Sequence, residues 1–275
     1  MSVLTARVSE TKMKKTLLAI ALTASFTGSA LAADLPMKAA RPMAEPIVAA
    51  NWTGCYLGAG AGYGMWNQEH ITRDPILGTP VAGQVGSVTS GGRGWFGTVQ
   101  VGCDYQFAQR WVIGAFADYD FGSIKGNFTP AASPAGLVGE EKLKSSWAAG
   151  GRIGYLVVPQ LLTYVSGGYT QARFDAVNFI GGPVGSTTVM DAQTYKGWFI
   201  GSGVEYGIDF LPGLFWKTEY RYAQYDAESP AITRTSLTAG TAIIGFEDSK
   251  KYVQTIRSEL VYRFNFGGGP VVARY

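Results

Sequence analysis

The sequence predicts an all-β fold, an eight-stranded antiparallel up-and-down β-barrel, and three observations lead to it. Eight segments are candidate strands, and six of them alternate apolar and polar residues clearly with a period of two, as strands do when their two faces meet different surroundings. The other two are residues 51–66, which are rich in Gly, and residues 161–174, which fit either register. Short connectors alternate with long connectors along the chain, as in a meander. Aromatic residues cluster at the ends of the apolar faces, which is typical of strands that cross a lipid bilayer. The predicted barrel is therefore a transmembrane one.

The chain begins with a predicted signal peptide over residues 1–32. Met13-Lys14-Lys15 supplies a basic start, "TLLAIALTASF" an apolar core, and Ala30-Leu31-Ala32 a cleavage site of small residues. Met13 is an alternative start of the chain. Because the apolar core is too short to cross a bilayer as a helix, the segment predicts export and not a membrane anchor.

Residues 33–50 are rich in Ala and Pro and are predicted to form a flexible linker. The formal net charge of +3 belongs to the leader, because residues 1–32 hold four cations and one anion. The chain that follows the leader is therefore neutral. A neutral chain gives no reason to expect nucleic-acid binding.

The predicted strands follow in order. Residues 111–121, "WVIGAFADYDF", show the pattern clearly, with Trp111 and Phe121 on the apolar face and Asp118 and Asp120 on the polar face. No stretch after residue 50 approaches the roughly 18 continuous apolar residues of a membrane helix, so a membrane-spanning chain must cross as strands. The eight segments are residues 51–66, 95–107, 111–121, 142–157, 161–174, 195–210, 214–225 and 253–266.

The connectors between these strands fall into two classes. Strands two and three, four and five, and six and seven are joined by short turns around "AQR", "VPQ" and "LPG". The remaining connectors are predicted to be long polar loops, at residues 67–94, 122–141, 175–194 and 226–250. Strict alternation places all four long loops at one end of the barrel.

The polar face is predicted to point into the barrel. A soluble lipocalin-like barrel would instead bury its apolar face around a ligand, but aromatic residues at the strand ends favour lipid contact. An eight-stranded barrel is barely wide enough for its own side chains, and buried charges persist only when paired. The phase therefore predicts a balanced interior network of ion pairs and not a water channel. Its members are Asp104, Asp118, Asp120, Lys144, Arg152, Glu205, Lys217, Glu219, Arg221, Arg257, Glu259 and Arg263.

Five motifs carry a resemblance to a known family: "NWTGCYLGAGAGYG", "GWFGTVQVGCDYQF", "GWFIGSGVEYGID", "WKTEYRYAQYD" and "VYRFNF". The chain resembles the small outer-membrane β-barrel proteins of alphaproteobacteria, of the porin-family or immunogenic surface-antigen type, with an OmpA-like eight-stranded barrel. The resemblance covers residues 51–266, together with the predicted signal peptide and the Ala/Pro linker. It implies residence in the cell outer membrane of a Gram-negative bacterium.

The resemblance also implies how the chain is assembled. Its partners would be periplasmic chaperones and the barrel-assembly machinery, which reads alternating aromatic residues in the last strand. Here these are Tyr262, Phe264 and Phe266, followed by a C-terminal extension over residues 267–275 that ends in Tyr275.

No residue pattern points to catalysis, a metal or a cofactor, and the chain is not expected to be an enzyme. His70 is the only histidine; it lies in the first predicted long loop and is expected to be solvated there. Without a second histidine, no serine has a triad framework elsewhere. Cys55 and Cys103 should lie on paired strands, and two alternatives stay open: a disulfide formed in an oxidising compartment, or two buried thiols.

The sequence therefore predicts a monomeric outer-membrane barrel with a structural or surface-exposed role. Its surroundings would be outer-membrane lipid and lipopolysaccharide. Two alternatives remain open. The chain is an adhesin or host-interaction protein that acts through its four long loops, or it is a small porin-like channel for small solutes.

Overall fold

The computed structural model describes residues 51–81, 87–130 and 136–264, and in these residues the chain is built from antiparallel strands. The predicted signal peptide, linker and C-terminal extension lie outside the described residues. Among the residues described, no helix is long and apolar enough to cross a bilayer. The strands are β1 (Gly54–Arg73), β2 (Val88–Phe107), β3 (Trp111–Phe128), β4 (Gly139–Val158), β5 (Leu161–Phe174), β6 (Val177–Phe179), β7 (Ser186–Met190), β8 (Gln193–Gly207), β9 (Leu214–Tyr225), β10 (Ala231–Ser236) and β11 (Gly240–Phe264).

Eight of these strands close into a ring, which confirms the predicted eight-stranded antiparallel barrel. Their order is β1-β2-β3-β4-β5-β8-β9-β11, and β11 pairs back onto β1. The closing pair runs in unbroken register from Cys55 opposite Phe264 to Arg73 opposite Phe246. Closure satisfies the backbone groups that an open sheet edge would leave unpaired in lipid.

The Gly-rich start of the barrel has a steric reason. Gly62 of β1 faces the interior, where a Cβ atom would lie 2.4 Å from Cζ of Phe96 on the neighbouring strand. The small residue leaves room for an aromatic ring inside a narrow barrel.

The long connectors are more structured than predicted. The first, second and last predicted loops, residues 67–94, 122–141 and 226–250, are too long. In the structure β1 continues to Arg73, β2 starts at Val88, β3 continues to Phe128, β4 starts at Gly139 and β11 starts at Gly240. Three additional short strands, β6, β7 and β10, lie in the third and fourth predicted loops. They extend the sheet from the upper part of β11 in the order β11-β10-β7-β6. β7 and β10 are rich in Thr and Ser, and β6 is only three residues long, so none of them shows the sustained apolar alternation on which the prediction depended.

A second apolar cluster, here called the cap, lies at the long-loop end. It combines residues of β6, β7 and β10 with residues at the ends of β3 and β4. The ring of Phe128 lies 5.8 Å from that of Phe179. Its buried members are Phe128, Leu137, Val177, Phe179, Met190 and Ile232, and Ile244 packs against them. The cap gives the additional strands a core of their own above the barrel.

The outward face carries aromatic residues in two belts. The outer belt, near the long loops, contains Trp95, Phe121, Tyr119, Trp147, Tyr169, Trp198 and Tyr222. The inner belt, near the short turns, contains Tyr105, Phe107, Trp111, Tyr155, Tyr206, Trp216, Tyr262 and Phe264. Neighbouring rings in the belts touch, as Trp147 and Tyr169 do at 5.6 Å and Trp111 and Tyr155 at 5.3 Å between centroids. Phe266, the third aromatic residue of the predicted assembly signal, lies outside the described residues.

Candidate functional site

Charged side chains fill the barrel interior in three clusters stacked along its axis. Eleven of the twelve residues predicted for the interior are buried there. They are Asp104, Asp118, Asp120, Arg152, Glu205, Lys217, Glu219, Arg221, Arg257, Glu259 and Arg263.

The turn-end cluster consists of Asp104, Arg152, Glu205 and Arg263, which come from four different strands. Nη1 of Arg152 donates to Glu205 at 2.9 Å, and its Nη2 donates to Asp104. Arg263 binds the same two carboxylates, at 2.5 Å to Glu205 and 2.7 Å to Asp104. Two cations and two anions thus form a closed ring. The guanidinium of Arg263 also lies 4.9 Å from the Trp52 ring centroid, which seals this end.

The central cluster consists of Asp118, Asp120, Lys217, Glu219, Arg221, Arg257 and Glu259. Arg221 makes a bidentate pair with Asp118, at 3.0 and 2.8 Å. Arg257 pairs with Asp120 at 2.9 Å. Lys217 lies between Glu259, at 3.0 Å, and Glu219, at 3.5 Å. Fixed bidentate geometry of this kind holds a buried pair better than a single contact does.

A cavity of about 20 Å³ lies beside the central cluster, lined by Asp120, Thr255 and Arg257 among others. Two buried polar atoms, Oγ1 of Thr255 and Nε of Arg257, have no hydrogen-bond partner among the described residues. A cavity of this volume has room for about one water molecule. It is far too small to form a continuous aqueous path.

The loop-end cluster was not predicted. It consists of Gln68, Glu141 and Lys251. Nζ of Lys251 lies 2.6 Å from Glu141 and also donates to Gln68, while Nε2 of Gln68 donates to Glu141 at 2.8 Å. Gln68 and Glu141 fall in segments predicted to be loops, and Lys251 lies just before the last predicted strand. The sequence could have indicated Lys251, because every second residue from Lys251 to Arg257 lies on the inward face of the last strand.

Lys144 is a correction to the predicted interior. It is exposed and lies 3.6 Å from Asp175, while its neighbour Leu143 is buried. The register of β4 shifts between Leu143 and Ser145 against β5. A β-bulge inserts an extra residue and so reverses the alternation of side chains beyond it. The prediction extended one phase through this point and therefore placed Lys144 on the wrong face.

His70 is a second correction, because it is buried on β1 and not solvated in a loop. Its Nδ1 lies 2.5 Å from Oε1 of Glu247, and its Nε2 lies 2.9 Å from Oγ of Ser90. The hydroxyl of Thr72 donates to the other oxygen of Glu247 at 2.7 Å. Phe128 of the cap covers the imidazole at 4.9 Å. Serine, histidine and glutamate thus stand in the order that serine hydrolases use.

Charged side chains also form hydrogen bonds and ion pairs at the long-loop rim, outside the hydrogen-bonded series of Ser90, His70 and Glu247. Asp248 accepts hydrogen bonds from Arg73 and, at 2.5 Å, from Ser229. Partial burial acts to raise the pKa of Asp248, but the hydrogen bonds from Ser229 and Arg73 and the charge of Arg73 outweigh it and lower that pKa. In the first loop, backbone N–H groups of Leu77 and Ile76 donate to Asp74 and lower its pKa.

Cys55 and Cys103 lie directly opposite each other on β1 and β2 and are joined by a disulfide. The bond lies near the short-turn end and links the first two strands of the barrel. Among the described residues, no group of three or more His, Cys, Asp or Glu could hold a metal ion.

Comparison with known proteins gives a consistent result. The family profile described as "Outer membrane protein beta-barrel domain" matches residues 18–264. The 31 kDa outer-membrane immunogenic proteins of Brucella melitensis biotype 1 and Brucella suis biovar 1 are each 30% identical over 257 residues, which cover 92% of this chain and 100% of the relative.

Similar solved structures include the outer membrane protein OprG from Pseudomonas aeruginosa, with 13% identity and a TM-score of 0.43. That match covers 78% of this chain and 99% of OprG. A major outer membrane protein from Thermus thermophilus has 9% identity and a TM-score of 0.46, with 74% of this chain and 99% of that chain covered.

Proposed function

Since the chain belongs to the outer-membrane β-barrel family and resides in the cell outer membrane, we propose that it is a closed, non-enzymatic barrel that presents its rim at the cell surface. One observation carries the proposal. Three charge clusters occupy the interior at successive levels, and the cap lies above them. The additional strands β6, β7 and β10 enlarge the rim instead of opening the barrel. The immunogenic relatives fit a protein whose loops meet the outside.

The ion-pair network argues against a pore for solutes. A conducting path requires water along the whole axis, whereas every interior charge described above contacts an opposite charge or a polar side chain. Separating such pairs to admit an ion would leave buried charges without partners, at a cost of several kcal/mol each. We therefore infer a structural role that the chain fulfils as a monomer, after delivery by periplasmic chaperones and the barrel-assembly machinery.

Single-channel recording tests the closed barrel. Refolded full-length protein in planar bilayers is expected to give no discrete conductance steps, because the turn-end, central and loop-end clusters each block the axis. Heat-modifiable migration on a gel verifies that the protein used is folded. Conductance steps that recur between preparations, and whose reversal potential shifts when a salt gradient is applied, would show that the interior opens. The porin alternative would then replace this proposal.

A second candidate function, a serine hydrolase at the cell surface, is favoured by the hydrogen-bonded series of Ser90, His70 and Glu247. In that reaction Nε2 of His70 would accept the Ser90 proton while Oγ of Ser90 attacks an ester carbonyl. The ester C–O bond would then break, with the His70 proton passing to the leaving alcohol, and water would release the acyl group from Ser90. The buried carboxylate of Glu247 would hold the imidazole tautomer and stabilise its charged form. The first proposal assigns the same three residues a structural task, which is to tie β1, β2 and β11 together below the cap.

A fluorophosphonate probe separates the two candidates. The hydrolase forms a covalent adduct at Ser90 that is lost in Ser90→Ala and retained in Ser249→Ala, a matched change at another hydrogen-bonded serine near the same end. The structural proposal expects no adduct on Ser90 of the folded protein. If the probe labels Ser90 of the wild type but not of the His70→Gln variant, the result supports the hydrolase.

A further inference from the structure

One side of the barrel carries a group of outward-facing cations near the long loops, here called the basic face. It consists of Arg93 on β2, Lys125 on β3, Lys142 and Lys144 on β4, and Arg173 on β5. Arg93 lies opposite Lys125, and Lys125 lies opposite Lys142, so three cations follow one another across neighbouring strands. Arg173 pairs with Ser145, next to Lys144. The five side chains therefore form one continuous surface.

The basic face is incompletely neutralised by the protein. Glu140 pairs with Lys125 at 2.8 Å, and Asp175 lies 3.6 Å from Lys144 and 4.0 Å from Lys142. Five cations against two carboxylates leave a local charge of +3. Like charges directly opposite each other destabilise a sheet, so this row costs stability unless an external anion lies against it.

The wall formed by β1 and β11 does not share this excess. Among the described residues, its outward cations at the same end are Arg73 and Lys250. Arg73 forms an ion pair with Asp248, and Lys250 lies opposite Glu69 in the register of β1 and β11. Each cation there has a carboxylate-bearing neighbour. Lys196 on β8 borders the basic face, because β8 pairs with β5. The excess of positive charge is thus a property of β2–β5 and not of the whole circumference.

The position of the basic face matches that of lipid headgroups. Arg93 lies two residues beyond Trp95, about 7 Å along the strand, and Trp95 belongs to the outer aromatic belt. Such belts mark the boundary between hydrocarbon and headgroups. The β-bulge in β4 turns Lys144 outward at the same level, where unbroken alternation would bury it. Cations above the belt meet phosphate, and rings within the belt meet acyl chains.

We propose that the basic face binds the phosphate groups of a phosphorylated glycolipid in the outer leaflet. Lys and Arg ammonium and guanidinium groups would contact the phosphates, while Trp95, Phe121 and Trp147 pack against the acyl chains below. The proposal rests on the outer-membrane location and not on whether the barrel conducts. Its test and the conductance test therefore fail independently.

Lipid retention by the refolded full-length protein tests the site. Protein in detergent micelles is titrated with lipid A that carries two phosphates, and the bound fraction is read by native mass spectrometry. In Lys142→Gln/Lys144→Gln, apparent affinity is expected to fall about 10-fold. The matched control, Arg73→Gln/Lys250→Gln, removes the same charge from β1 and β11 and should change the apparent affinity less than about 2-fold.

Two further binding measurements identify the ligand. Lipid A without its phosphates should bind wild type and both variants equally, and excess inorganic phosphate should not displace the phosphorylated lipid. Equal loss in both double variants would reduce the effect to overall charge and overturn the proposal. Displacement by inorganic phosphate would replace the glycolipid with free phosphate as the ligand. Gel migration confirms that each variant is folded.

Discussion

Replacing Glu141 with Leu is expected to lower the free energy of unfolding by about 3–5 kcal/mol. Glu141 and Lys251 form an ion pair at 2.6 Å, and their side chains are 1% and 0% exposed. The substitution leaves the Lys251 ammonium buried with Gln68 as its remaining polar contact in the cluster, and an unpaired charge in such surroundings is strongly destabilising. The urea midpoint and slope for unfolding from micelles give the difference.

The neighbouring residue provides the control. Glu140 also pairs with a lysine, Lys125, at 2.8 Å, but the two side chains are 55% and 48% exposed. Glu140→Leu should therefore cost no more than about 1 kcal/mol. The two variants have the same composition and differ by one position along β4. Equal effects at the two positions would mean that Glu141 does not face a closed interior.

The eight barrel strands and their inward phase could be predicted because both depend on local sequence. Residues 111–121 illustrate this: a period of two assigns Asp118 and Asp120 to one face, and both are buried inside. Lipid and a narrow polar interior are so different that few residues are ambiguous between them. The same contrast is absent above the membrane, where β6, β7 and β10 alternate weakly and were predicted as loops.

The wrong predictions for Lys144 and His70 have physical causes that the alternation of apolar and polar residues does not reveal. A single bulge reversed the phase at Lys144, and bulges leave little trace in one sequence. His70 was assigned to a loop because the first predicted strand ended at residue 66, whereas β1 continues to Arg73. Burial of His70 depends on Glu247 and Ser90, which are 177 and 20 residues away along the chain.

The interior charge pairs that join strands which are not neighbours could not be predicted. Asp104 and Arg263 lie on β2 and β11, which are not neighbours, and they meet at 2.7 Å across the barrel. Contacts of this kind depend on tilt and shear, which a list of inward residues does not give. Val261 shows the same limit, because its inward position between Glu259 and Arg263 was predictable, whereas its complete burial was not.

Replacing Leu260 with Arg is expected to destabilise the folded barrel in a bilayer by about 1–3 kcal/mol, between the cost at an interface and that at the midplane. Leu260 lies on the outward face of β11, 55% exposed, opposite Trp216 of the inner belt and two residues before Tyr262 of the same belt. A guanidinium on the hydrocarbon side of this belt lacks both water and counter-charge. The cost should rise toward about 2–4 kcal/mol for the same substitution at Ile256, which lies further from the inner belt.

A second position on β11 makes the control. Ile243 is 49% exposed and pairs with Thr233 of β10 in the sheet above the barrel, where its surroundings are aqueous. Ile243→Arg should change stability by no more than about 0.5 kcal/mol, because surface substitutions away from buried features are nearly neutral. Urea titrations of both variants refolded into the same vesicles measure the difference. If Leu260→Arg unfolds at the wild-type midpoint, the outward face of β11 does not lie against lipid, and the two aromatic belts do not mark a membrane.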